Sequence, residues 1–361
     1  MIRSLLSDDA PRSRVLAALL VAVLVGLAVA PFVASGARAL NTAATICVFI
    51  VLVASYDLLL GYTGIVSFAH TMFYGIGAYG VGLALAAIGP TWWAAFTGLA
   101  TSLAVALLLA LGIGLVSLRV RALFFAMITL AVASAFSVLA SQLSDFTGGE
   151  DGRNFQVPEL LRPGYRLIEG ELLGRALDGR LITYYLLFGA SVALFLFLLR
   201  VVNSPFGRVL QAIRENDFRA EALGYRTVVY RTLANCIAAL VAALAGALMA
   251  LWLRYVGPKT VLSFEVMTDI LLIVVIGGMG RMYGAVIGSV LFILAQNYLQ
   301  AGMGRAAEAL AGLPWLVRVL HPDRWMLWMG ILFIACVYWF PSGIVGRLRG
   351  NDVAGRSSRT E

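Results

Sequence analysis

The chain has 361 residues, of which 61% are apolar and only 13% charged, against roughly 25% charged in an average soluble domain. So little polar surface cannot coat a soluble globule. A net charge of +8 and a mean hydropathy of +0.91 point to membrane topology signals and away from a nucleic-acid surface. No polar stretch is long enough to build a second domain, so residues 1–361 read as one all-α unit, a polytopic transmembrane helical bundle.

A spanning helix needs about 20 mostly apolar residues. Runs of that kind occupy 15–34, 42–60, 65–88, 92–117, 122–142, 182–202, 230–253 and 325–342. The stretch 260–300 is too long for one span and is interrupted by Gly277, Gly278, Gly280 and Arg281, a turn signal followed by a charge. Splitting it into 262–277 and 283–300 gives about ten spans, some short or broken. The first run follows Arg3, Arg12 and Arg14 and resembles a cleavable signal, but its apolar core is longer than a signal's, so it reads as a retained helix.

Of the 27 cations all but Lys259 are arginines, and an inside N-terminus places 16 of them on the inner face against 11 outside. The inner set includes Arg119, Arg121, Arg281, the six arginines from Arg200 to Arg231, and Arg347, Arg349, Arg356 and Arg359. The positive-inside rule then puts both termini in the cytoplasm. Cys47, Cys236 and Cys336 lie inside apolar runs with no paired spacing and read as small buried hydrophobes.

The segment from Asp57 through Gly61, Tyr62, Thr63, Gly64, Ser67 and His70 is the most informative. Two glycines around Tyr62 and Thr63 are expected to break a helix, and irregular backbone is tolerated at membrane depth only where it is buried or lines water. These seven residues are therefore candidates for the translocation pathway, the alternative being packing and a tight turn. Ser67 and His70 lie three apart, on one face if the stretch is helical, without an evident orienting acid, so a polar pore lining or an interhelical hydrogen bond is preferred over catalysis. The small residues Gly75, Ala78 and Gly82 offer a flat face for close helix packing.

A polar outer loop, 143–181, carries seven acids and five arginines and opens with Thr147, Gly148, Gly149, Asp151 and Gly152. Loops this long are often functional. The glycines allow a tight turn beside a pore mouth, and the surface either docks a soluble partner or simply links two helices. On the inner side, 203–229 reads as a short amphipathic helix pair, with Asn203 or Ser204 as cap, Pro205 at the first position and Gly224 as terminator. Phe206, Val209, Leu210, Ile213 and Phe218 recur at helical spacing, which suits either a lipid surface or a partner's groove.

No reacting constellation is present, and with one lysine there is no Gly-Lys-Ser/Thr phosphate loop. ATP-driven transport would require a separate hydrolysing subunit. The acids Asp57, Glu265 and Asp269 lie near predicted span ends, so ion coupling is weakly supported and a capping role is open.

Leu58 to His70 together with Phe73–Tyr79 resembles the early signature of the M-type membrane permeases of branched-chain amino-acid ABC importers. Thr147 to Gly152 is similar to that family's outer loop. Pro205, Gly207 and Arg208 through Glu221 to Gly224 resemble its cytoplasmic coupling segment, and Gly277 to Gly280 its late glycine turn. The resemblance implies a bacterial inner-membrane subunit that pairs with a sister permease, two ATPases and a periplasmic solute-binding protein, with membrane lipid around it. It binds no cofactor of its own, ATP and magnesium being held by the ATPases. It further implies that Arg208, Arg214, Glu215 and Glu221 contact an ATPase, making the amphipathic pair a protein-docking element. Departures at Asp57, Ile65 and Ala69 leave the substrate open among branched-chain amino acids, other amino acids, urea and short amides; a secondary transporter is the less favoured class.

Overall fold

The computed structural model describes residues 14–33, 36–117, 122–172, 175–309, 321–340 and 343–346. Of the inner arginines, Arg3, Arg12, Arg119, Arg121, Arg347, Arg349, Arg356 and Arg359 lie outside the described residues. The helices are α1 (Arg14–Val33), α2 (Ala37–Thr63), α3 (His70–Ile88), α4 (Trp92–Ser117) and α5 (Ala122–Gln142). There follow the short α6 (Ser144–Thr147), then α7 (Gly179–Val202), α8 (Pro205–Glu215), α9 (Asp217–Ala222) and α10 (Thr227–Leu253). The chain continues with α11 (Pro258–Val261), α12 (Phe264–Gly277), α13 (Met282–Ala309) and α14 (Trp325–Trp339). Among the described residues ten stretches are long and apolar enough to span a bilayer, α11 and α12 together forming the eighth.

The expected spans fall on these helices, although α2 starts earlier than the run 42–60, α13 ends later than the run 283–300, and two further starts are displaced. Residues 64–69 are not helical, so the third span begins at His70 and not at 65. The eighth span begins earlier than expected, at Pro258, because α11 precedes α12 and Ser263 restarts the helix by accepting the Val266 amide at 3.3 Å. Serine at that position satisfies one of the free amides of a helix start.

α2 is apolar all round and buried along nearly its whole length, as a helix at the centre of a bundle must be. It packs against α7, α10, α12 and α13, while α10 also packs against α3 and α4. α1 leaves most of its side chains, including Val21, Leu24 and Val25, exposed on the periphery. Without a hydrophobic force between helices in lipid, close approach of small residues drives association. A Cβ on Gly77 of α3 would overlap the Ala243 carbonyl of α10, and one on Gly246 would overlap the Tyr74 carbonyl. Gly80 and Gly98 make the same kind of contact between α3 and α4.

The loop 143–181 carries short elements of its own. β1 (Arg153–Asn154) pairs antiparallel with β4 (Tyr255–Val256), tying the loop to the α10–α11 connection, and β2 (Arg166–Leu172) pairs with β3 (Arg175–Asp178). These four short strands are a small addition to an otherwise helical bundle.

Gly77→Ala is expected to destabilise the bundle by about 1–3 kcal/mol, the usual cost of overpacking a filled contact. Gly112→Ala, where nothing lies within 4 Å of an added Cβ, is the control. Thermal unfolding in detergent followed by size-exclusion chromatography should show a fall only for the first.

Candidate functional site

Helix α2 does not break at Gly61. It runs through Tyr62 to Thr63 and stops at Gly64, whose φ of 73° and ψ of 18° form a left-handed cap, with the Ile65 amide reaching back to the Leu59 carbonyl at 3.2 Å. Glycine is the residue that adopts this geometry without strain. Gly61 serves instead for close approach, because a Cβ there would overlap the Asp57 carboxylate and the Gly280 amide.

Tyr62, Thr63, Ser67 and His70 are all buried. Thr63 Oγ1 donates to the Leu59 carbonyl at 2.6 Å, and Ser67 Oγ accepts the Ala69 amide at 3.4 Å in the non-helical stretch. Ser67 and His70 therefore do not share a helix face. His70 Nε2 lies 2.9 Å from Ser55 Oγ and 3.2 Å from the Leu52 carbonyl, joining the start of α3 to the middle of α2. Of the two roles the sequence leaves open, pore lining and an interhelical hydrogen bond, His70 makes the second. Phe68 donates its amide to Thr129 Oγ1 of α5 at 3.1 Å, which holds the irregular stretch from a third side.

The late glycine turn is a real interruption. α12 ends at Gly277, Gly278 and Gly280 have φ of 108° and 76°, and α13 starts at Met282. A helix start leaves free amides that need acceptors. Asp57, 2% exposed, supplies them from another helix: Oδ1 accepts the Gly280 amide at 2.9 Å and Oδ2 the Arg281 amide at 3.1 Å. A carboxylate also complements the positive pole of the α13 dipole. Asp57 thus takes the capping role that its place near a span end leaves open in the sequence.

The amphipathic pair expected over 203–229 is α8 and α9. Ser204 holds the cap position, but its Oγ donates to the Val201 carbonyl at 2.6 Å and does not cap; Asn216, not Asn203 or Ser204, is the residue that caps with its side chain, accepting the Arg219 amide at 2.9 Å. Gly207 is buried where a Cβ would overlap the Val202 carbonyl, and Gly224, with φ of 90°, ends the pair. Leu210 and Ile213 are buried, whereas Phe218 is 86% exposed and leaves the expected apolar stripe. Its helix is a separate one, so the 3.6-residue period does not carry across Asn216. Asp217 pairs with Arg231 at 2.9 Å, and Glu221 accepts the Thr227 hydroxyl at 2.7 Å; both tie the pair to α10.

Arg214 is an exposed residue whose guanidinium reaches back to the bundle, donating from Nη1 to the Gly61 carbonyl, with its stem over Gly64 and its guanidinium against Gly280. The three glycines leave the slot it fills. Arg208 and Glu215 remain exposed. Three of the sequence motifs, remote along the chain, therefore meet at one junction: the end of α2, the α12–α13 turn and α8.

The fourth motif sits with the outer connections. Gly148, Gly149 and Gly152 all have positive φ, Thr147 Oγ1 donates to the Ala140 and Leu143 carbonyls, and Tyr255 donates its hydroxyl to the Asp151 carbonyl at 2.8 Å. Glu265 and Asp269 lie on α12; Asp269 accepts from Gln296 of α13 at 3.4 Å. Gln296, Ser55 and Tyr255 carry no recognisable sequence signal, since each is an ordinary residue whose partner is supplied by another part of the chain.

Asp57→Ala would leave two buried amides without an acceptor, each costing about 1–3 kcal/mol. A clear fall in thermal stability in detergent is expected, with Asp57→Asn, which keeps one acceptor oxygen, falling less.

A profile of the family described as branched-chain amino acid transport system / permease component matches residues 38–337. The chain is 28% identical over 322 residues to the high-affinity branched-chain amino acid transport system permease protein LivM of Escherichia coli K12, covering 84% of this chain and 73% of that protein. It is 26% identical over 218 residues to the probable branched-chain amino acid transport permease protein LivM of Methanocaldococcus jannaschii, covering 60% and 58%. No solved structure is detectably similar. The chain belongs to the permease components of branched-chain amino acid transport systems.

Proposed function

We propose that this permease is the membrane subunit of an ATP-driven importer of branched-chain amino acids, forming half of a translocation path with a sister permease. Two separate ATPases would dock on its inner face and a periplasmic binding protein on its outer one. The chain holds no phosphate loop, so hydrolysis would belong to the partners. In this reading it lies in the bacterial inner membrane with both termini cytoplasmic. In its favour, the α2–α3, α7–α10 and α12–α13 connections meet at one end of the bundle, while β1, β4 and the Arg180–Asn41 hydrogen bond of 2.9 Å gather at the other.

The observation that carries the docking surface is the α8–α9 pair. Phe218 and Leu223, 86% and 72% exposed, project beside exposed Arg208 and Glu215 from a segment anchored to α10 by Asp217 and Glu221. A rigid ledge with apolar knobs and mixed charge suits a protein groove better than lipid.

The wall of the path fits α12 and α13 better than it fits the Gly61–His70 segment, which is largely buried. Glu265 and Gln296 are exposed or half-buried and Asp269 half-buried within spanning helices. An aspartate facing lipid at mid-span costs about 2.5–3.5 kcal/mol on insertion scales. Such a face is covered by protein or wet, as expected at the junction with a sister permease. Asp57 and Gly61 to His70 would then support that wall from behind.

Replacing Phe218 and Leu223 together by serine removes little intrachain packing. It should lower ATPase copurification at least about tenfold, as for loss of interface anchors, with the subunit still inserted; unchanged copurification contradicts the docking surface. A cysteine at Gln296 should react in the assembled complex with a membrane-impermeant thiol reagent, whereas one at lipid-facing Leu108, 69% exposed, should not.

A further inference from the structure

We infer that Arg214 is the positioning residue that links movement of α8 to the polar face of α12 and α13, through the slot made by Gly61, Gly64 and Gly280. The inference rests on the transport reading above and extends it to a specific mechanical route. α8 is a surface helix. Arg214 reaches from it to the α12–α13 turn, its guanidinium bonding the Gly61 carbonyl and lying where a Cβ on Gly280 would meet it.

The chemistry of that contact favours a firm link. The last carbonyls of a helix lack intrahelical partners and carry the negative pole of the dipole, so a guanidinium there gains both a hydrogen bond and a favourable field. Bonds to a charged donor are about twice as strong as neutral ones. The neighbouring Gly280 amide is held by Asp57 of the same helix, α2, at 2.9 Å. Arg214, the end of α2 and the α12–α13 turn are thereby joined by successive polar contacts, with no space for an added Cβ at Gly61 or Gly280.

What lies beyond the turn gives the link its use. α12 carries Glu265 and Asp269 and α13 carries Gln296, joined by the Asp269–Gln296 contact. Because the turn is held at its base, displacement of α8 by a docked ATPase would carry the base of both helices with it.

The test uses the complete transporter, with its sister permease, ATPases and binding protein, in proteoliposomes supplied with leucine and ATP. Two readouts are taken: leucine imported per ATP hydrolysed, and the distance between spin labels at Gln211 on α8 and Met279 at the turn, with and without vanadate trapping. In the wild type the Gln211–Met279 distance should stay constant between the two states. In Arg214→Gln it should change on trapping, and import per ATP should fall at least about fivefold, as expected for loss of a charge-assisted hydrogen bond. Arg214→Lys, which can still donate to the Gly61 carbonyl, should recover much of the ratio. Wild-type stoichiometry and a constant distance in Arg214→Gln would overturn the link. Should that variant not assemble, Gly280→Ala, which crowds the guanidinium without removing it, is measured in the same two ways: a changed distance with lowered import per ATP supports the link, and wild-type values of both overturn it. Absence of ATP-driven import by the wild-type complex would instead overturn the transport reading itself.

Discussion

A helix that stops at the edge of a bilayer leaves amides and carbonyls that water is poorly placed to satisfy, and this bundle has two such stops facing each other. α2 ends at Thr63 and α13 begins at Met282. Asp57 resolves the second by accepting the Gly280 and Arg281 amides, and Arg214 resolves part of the first by donating to Gly61. The interrupted span is tolerable because these exposed groups have partners from other helices. Much of this end of the bundle follows from that arrangement, including the position of α8 and the base of the α12–α13 hairpin.

The arrangement also explains the glycines. Gly61, Gly64 and Gly280 stand at one place in the fold. They are the absence of side chains where a carboxylate, a guanidinium and two backbone segments converge. The same economy appears deeper in the bundle, where Gly77 and Gly246 let α3 and α10 approach backbone to backbone. In lipid, where apolar side chains gain little from one another, such contacts are a main source of helix association.

Span positions and the inner amphipathic pair are legible in the sequence because they rest on local patterns: apolar runs of membrane length, and Pro205 and Gly224 at helix ends. The interruption at Gly277 to Gly280 is legible for the same reason. Gly61 misleads, because a glycine near a helix end signals a break as readily as a close approach, and only the neighbouring turn decides between them. Arg214 is legible as an exposed cation of an amphipathic helix, but its bond to the Gly61 carbonyl is not, because Gly61, Gly64 and Gly280 lie more than 60 positions away along the chain. Asp57 is recognisable as a possible cap but not for what it caps, since the partner amides lie 223 and 224 residues along the chain. His70 is legible as an interhelical contact, although its partner Ser55 carries no signal. The outer loop shows its turns through Gly148, Gly149 and Gly152, but its pairing with Tyr255 and Val256 depends on two-residue strands too short to recognise.

The inner junction depends most on the Asp57 cap, and hydrogen exchange reads that cap directly. In lipid nanodiscs, the amides of Gly280 and Arg281, followed by mass spectrometry on peptides spanning the turn, should exchange slowly in the wild type. They should exchange at least about tenfold faster in Asp57→Ala, as expected when a hydrogen-bonded segment opens locally. Fast exchange of both amides in the wild type, or exchange unaltered by the substitution, would contradict the junction that holds α2, α8 and the α12–α13 turn together.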